Sequence, residues 1–128
     1  AETQESFDAD LQSMIINNPL IVRVNDPRDA VASADFIYTD TWIDMQYFND
    51  PAKHAEKTAL VAQMQRFQIN SDLVADHELK IMHDMPIHND YEITEAAVRD
   101  QRSIIFDQAA NRLHAQKGLL YWLLVANA

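Results

Sequence analysis

Three short polar segments carry the residues with the types and spacing to do chemistry. They are Asp40-Thr41-Trp42-Ile43-Asp44-Met45, His83-Asp84-Met85-Pro86 and Asp107-Gln108-Ala109-Ala110-Asn111-Arg112. Carboxylates, an imidazole and a guanidinium are the side chains that hold charged ligands and move protons. Each segment also has a structural reading. Asp40 and Asp44 could be turn formers in a polar loop, and Arg112 could be a solvated residue near a helix start. His83 and His88 with Asp84 and Asp90 could be read as a metal cluster, since imidazole and carboxylate suit several divalent ions. The spacing matches no metal motif, so His83 is read as a strand-end residue bonded to backbone and no metal or cofactor is expected.

The elements that must position these segments follow from patterning. Phe7, Leu11, Met14 and Ile15 fall at helical spacing, and Asn17-Asn18-Pro19 ends that helix. Residues 20–24 (LIVRV) read as a strand, 27–33 as a short helix opened by Pro27, and 36–39 (FIYT) as a second, buried strand. Residues 40–51 read as a loop and 52–65 as a helix. Ser71 is expected to cap a helix to residue 75, and 79–82 to form a third strand. Thr94 opens a helix to residue 98, 103–106 (SIIF) reads as a fourth strand, and 109–125 as a long terminal helix. Short apolar strands alternating with helices predict an α/β fold, a parallel sheet with helices on both faces. Sites in such sheets gather at the carboxyl ends of strands, and the three polar segments lie there.

Composition bounds the function. The 128 residues make one domain and carry a formal net charge of −10, with ten acidic and two basic residues in the first fifty. Nucleic acid needs a basic face, so neither it nor an anionic membrane surface is an expected partner. No cysteine is present, which removes disulfides and thiolate nucleophiles. The only glycine is Gly118, so no Gly-rich phosphate loop can be written; within the terminal helix it reads as a packing position. No apolar run is long enough to span a bilayer, and no signal peptide is legible. A cytoplasmic protein is expected. Leu119, Leu120, Trp122, Leu123 and Leu124 read as core or as a stripe covered by a second surface.

YTDTWIDM (38–45), MHDMPIH (82–88) and FDQAANRLHAQK (106–117) together resemble the amino-acid-binding half of the aspartate/ornithine carbamoyltransferases. The ornithine branch is the nearer match, with its T-D-x-W-x-S-M, H-C-L-P and F-D-Q-A-x-N-R segments in this order. The resemblance covers about residues 20–125 and implies a Rossmann-like half of a carbamoyltransferase. The family moves a carbamoyl group from carbamoyl phosphate to an amine such as that of ornithine, a step in arginine metabolism. By resemblance Asp40 binds the ammonium groups of the amino acid and Met45 lines the same pocket. His83, Asp84 and Met85 occupy the segment that contacts both substrates. Arg112 matches the arginine that holds carbamoyl phosphate, so Arg112 and Asp84 take the catalytic positions. A guanidinium keeps its charge and offers a fork of donors, and held at the reacting carbon it stabilises the developing oxyanion.

Two departures stand out. Asp44 replaces a serine of the ornithine branch, and Asp84 replaces its cysteine. Three acids around one pocket would favour a more cationic amine and repel a dianionic phosphate donor, unless one protonates. The family's carbamoyl-phosphate domain, with its S-x-R-T segment, is absent from residues 1–128, so that substrate is expected through a missing domain or a partner chain. Family members form trimers with sites between subunits, which implies a homo-oligomer. The alternative expectation is a non-catalytic relative that binds a cationic metabolite or a partner subunit.

Overall fold

The computed structural model describes residues 9–43 and 48–126. Along the chain run α1 (Ala9–Asn17), α2 (Pro27–Val31), β1 (Phe36–Thr39), α3 (His54–Met64), α4 (Ser71–Val74), β2 (Lys80–His83), α5 (Glu95–Val98) and α6 (Ile105–Tyr121). Helix α6 continues as a π-helical turn at Trp122–Ala126. β1 and β2 pair in parallel, with Phe36 opposite Lys80 and Thr39 opposite His83. The fold is therefore α/β, as the alternation of elements predicts.

Local chemistry sets the element ends. Asp26 accepts the Arg28 N–H at 2.9 Å with Pro27 in the first turn, and so opens α2. Thr94 caps α5 through the Ala97 N–H. For α4 the cap is Asn70, which accepts the Leu73 N–H at 3.0 Å, and Ser71 is already the first helical residue. The sequence reading was one residue late there, because Asn and Ser are both good caps.

Ten buried residues, among them Ile69, Val74, Leu79, Ile81, Ile93 and Ile105, form the core between the sheet and helices α2, α4, α5 and α6. Helix α6 lies against β2. A guanidinium staple closes the other end of β2. Arg102 donates to both Asp100 oxygens at 2.8 Å and also to the Val74 and His77 carbonyls. The Arg102 fork holds the Asp100 carboxyl down to about 2.

Several sequence expectations are corrected. Residues 20–24 are not a strand; Leu20 is 90% and Val22 81% exposed. A strand needs a partner for its backbone groups, and none of the described residues pairs with this segment. Residues 103–106 are not a strand either. Ile81 donates to the Arg102 carbonyl and accepts from the Ile104 N–H, making one bridge at Ser103. Helix α6 then begins at Ile105 rather than at 109. β1 is a strand but not a buried one, with Phe36 and Tyr38 exposed. Gly118 is not a packing position: beyond its own helix backbone and chain neighbours, no described residue comes within 4 Å of the position its Cβ would take. Leu119, Leu120, Trp122, Leu123 and Leu124 are exposed, not core.

Candidate functional site at the carboxyl edge of the sheet

The parallel register brings the carboxyl ends of β1 and β2 side by side, Thr39 against His83. Asp40 and Asp84 are the next residues on each strand. Asp40 directly follows β1. Its Oδ1 accepts the Thr41 N–H at 2.6 Å and the Thr41 hydroxyl at 3.3 Å. These bonds hold Oδ1 and leave Oδ2 out of them. Asp40 and Trp42 line a largely apolar cleft of about 830 Å³, walled by Val31, Ile37 and Phe67.

His83 ends β2 wholly buried. Its backbone N–H donates to the Gln108 side-chain oxygen at 3.1 Å, which ties the strand end to the first turns of α6. Its ring bonds a side chain, Glu92 (3.2 Å from Nε2), and its Nδ1 accepts the Met85 N–H at 2.8 Å. The strand-end expectation for His83 holds, with a carboxylate partner added. Asp84 follows with its side chain 42% exposed. Its Oδ1 is shielded and accepts no hydrogen bond among the described residues. Met85 sits at φ 60, the left-handed region that non-glycine residues rarely occupy. Met85 and Pro86 line a separate cleft of about 410 Å³ with Arg99 and Phe106.

Arg112 reaches this edge from the second turn of α6. Its Nη1 donates to the Asp84 carbonyl at 3.3 Å, and the residue is otherwise exposed. Together with Gln108, Asn111 and His114 it lines a cleft of about 590 Å³ over β2 and α6. The guanidinium thus has donors to spare for an oxygen-rich ligand.

The structure accordingly joins His83, Asp84, Met85 and Arg112 through hydrogen bonds and sets Asp40 on the neighbouring strand end. Asp40 and Arg112 line different clefts. Asp44 and Met45, the other two residues expected to bind substrate, lie outside the described residues. No group of three or more His, Asp or Glu side chains is gathered for a metal among the described residues. No helix among them is long and apolar enough to cross a membrane. Two residues of this edge escaped sequence reasoning. Gln108 stands inside the FDQAANR segment and could have been picked from it. Glu92 carries no local signal, being an acid in an ordinary-looking loop.

The chain is similar to known proteins in sequence and in fold. Residues 2–123 match the family model described as aspartate/ornithine carbamoyltransferase, Asp/Orn binding domain. An ornithine carbamoyltransferase of Archaeoglobus fulgidus is 42% identical over 103 residues, covering 79% of this chain and 32% of that protein. One from Clavibacter michiganensis is 35% identical over 123 residues, covering 94% and 38%. The crystal structure of ornithine carbamoyltransferase from Thermus thermophilus superposes with a TM-score of 0.69 at 32% identity, over 91% of this chain and 35% of that one. The chain spans about a third of the length of the curated relatives it matches. By this family match and this shared fold, the chain belongs to the aspartate/ornithine carbamoyltransferases and represents their Asp/Orn-binding domain.

Proposed function

We propose that this chain is the amino-acid-binding part of an ornithine-type carbamoyltransferase. The observation that supports the reading best is that Arg112 bonds the Asp84 carbonyl while the register sets Asp40 on the neighbouring strand end. Asp40, with Asp44 and Asp84, would hold the ammonium groups of an amine such as ornithine. The free amine nitrogen would attack the carbonyl carbon of carbamoyl phosphate. A carbon–nitrogen bond forms, the bond from carbon to the phosphate oxygen breaks, phosphate leaves, and the nitrogen gives up a proton. Arg112 would stabilise the charge that builds on the carbonyl oxygen. Carbamoyl phosphate would be held by a domain with the S-x-R-T segment, on another part of the protein or a partner chain, and a trimer would set such a domain against this edge.

The test is reconstitution. This chain is mixed with a chain carrying the S-x-R-T half, and carbamoyl transfer to ornithine, lysine and putrescine is assayed. Turnover that disappears with Arg112→Ala supports the reading; a stable complex with no turnover for any amine overturns it. A second reading, a non-catalytic binder of a cationic metabolite, is favoured by one feature. Asp84 places a carboxylate where the ornithine branch has cysteine, and its Oδ1 accepts no hydrogen bond among the described residues. Amine binding without turnover would select it.

A further inference from the structure

Glu92 belongs to none of the three motifs, yet it is fully buried and its Oε1 takes hydrogen bonds from both ends of the loop that forms the site. We infer that Glu92 is a positioning residue: it holds His83 in one tautomer, and through His83 it sets the turn that carries Asp84 and Met85. The inference deepens the proposed function and rests on that reading for the role of the loop.

The tautomer follows from donors and acceptors. The Met85 backbone N–H can only donate, so His83 Nδ1, 2.8 Å away, must present a lone pair. The ring proton is therefore on Nε2, where it points at Glu92 Oε1 across 3.2 Å. An imidazolium would set two N–H groups against each other at Nδ1, so the loop requires the neutral ring. The 3.5 Å approach of Asp84 Oδ1 to Nδ1 is then a contact of two acceptors and not an ion pair. Glu92 Oε1 also accepts the His88 N–H at 2.7 Å. One oxygen thus closes the segment from His83 to His88.

Glu92 is itself held from the core side. Its carbonyl accepts the Ile69 N–H at 2.9 Å, and Gln68 Nε2 donates to the Asp90 and Tyr91 carbonyls at 2.9 Å each. The sequence of contacts runs from residues 68–70 to Glu92, to His83, to the Met85 N–H. At its far end Met85 keeps a positive φ of 60 without being glycine, a conformation the surroundings must impose. The same turn aims the Asp84 carbonyl that receives Arg112. A carboxylate behind a histidine commonly fixes ring orientation in this way.

The experiment combines imidazole ¹⁵N NMR with amine calorimetry on the 128-residue chain. Wild type is compared with Glu92→Gln, which keeps an oxygen acceptor, and Glu92→Met, which keeps the shape without one; His83→Gln assigns the signal. In wild type and Glu92→Gln, His83 should show a protonated Nε2 and an unprotonated Nδ1. In Glu92→Met that fixed tautomer should be lost and amine affinity should fall by about tenfold or more, with Glu92→Gln restoring most of it. A wild-type His83 protonated on Nδ1, or doubly protonated at neutral pH, overturns the inference without any variant. So does a Glu92→Met chain that keeps both the tautomer and the affinity. If wild type binds no amine while the tautomer depends on Glu92, the proposed function fails and the Glu92 lock stands. If wild type and Glu92→Met bind amine equally, the positioning role fails and the proposed function stands.

Discussion

Substituting Asp100 should weaken the fold at neutral pH and make no difference in strong acid. In the native state Asp100 receives two 2.8 Å bonds from Arg102, whose remaining donors close on the Val74 and His77 carbonyls. The carboxyl is held at about 2 instead of 3.8, and at 1.36 kcal/mol per unit that shift corresponds to about 2.4 kcal/mol. Both side chains keep about a quarter of their surface in solvent. Screening there reduces the contribution to about 1 kcal/mol. The folded carboxyl is the stronger acid, so the unfolded chain takes up the proton first as pH falls. The stabilisation is complete above pH 4, declines as pH drops towards 2 and vanishes below it. Urea unfolding of wild type and Asp100→Asn in a pH series isolates the effect, because the other carboxylates titrate alike in both and cancel. The gap should be about 1 kcal/mol at pH 6 and close to zero at pH 2. Equal stabilities at pH 6, or a gap that widens in acid, would refute the staple.

Three further outcomes follow from local geometry. Gly118→Ala should raise stability by about 0.5–1 kcal/mol in thermal unfolding, because no described residue beyond the local helix lies near the added methyl; a loss would mean the helix face is occupied. Arg112→Ala should change stability by no more than about 0.5 kcal/mol, since its side chain is exposed and its one hydrogen bond among the described residues is a 3.3 Å contact to the Asp84 backbone carbonyl. A larger loss in urea unfolding would make Arg112 a structural residue. Asn70→Ala should cost about 1 kcal/mol and Ser71→Ala far less, because only Asn70 caps α4; the reverse order would relocate the cap.

How much of this was legible in the residues depended on whether the determining contact was local. The Asp26-Pro27 start of α2, the Thr94 cap and the extended runs of β1 and β2 follow from neighbours in sequence. LIVRV at 20–24 has every local mark of a strand, but pairing is a property of two segments, and none of the described residues pairs with it. SIIF at 103–106 was ambiguous in the same way. A four-residue apolar run fits a buried strand or the first turn of a buried helix, and one bridge at Ser103 before Ile105 opens α6 combines both. At the candidate site, Asp40, His83, Asp84 and Met85 could be picked out by motif and by their place at strand ends, and Arg112 by motif alone. Glu92 could not, because a fully buried acid is rare. Only the fold reveals that its loop is turned inward onto His83.

On the proposed function, the carboxyl edge of the sheet holds an amine through Asp40. The decisive measurement is calorimetric titration of the chain with ornithine, lysine and putrescine, repeated on Asp40→Ala. Since Asp40 is exposed and its carboxylate bonds only Thr41 among the described residues, the variant should fold as wild type does. Wild type should bind at least one of these amines, and the variant should lose about tenfold or more in affinity, the worth of one hydrogen bond to a charged group. Contradiction would take the form of no binding by any amine, or equal binding by Asp40→Ala.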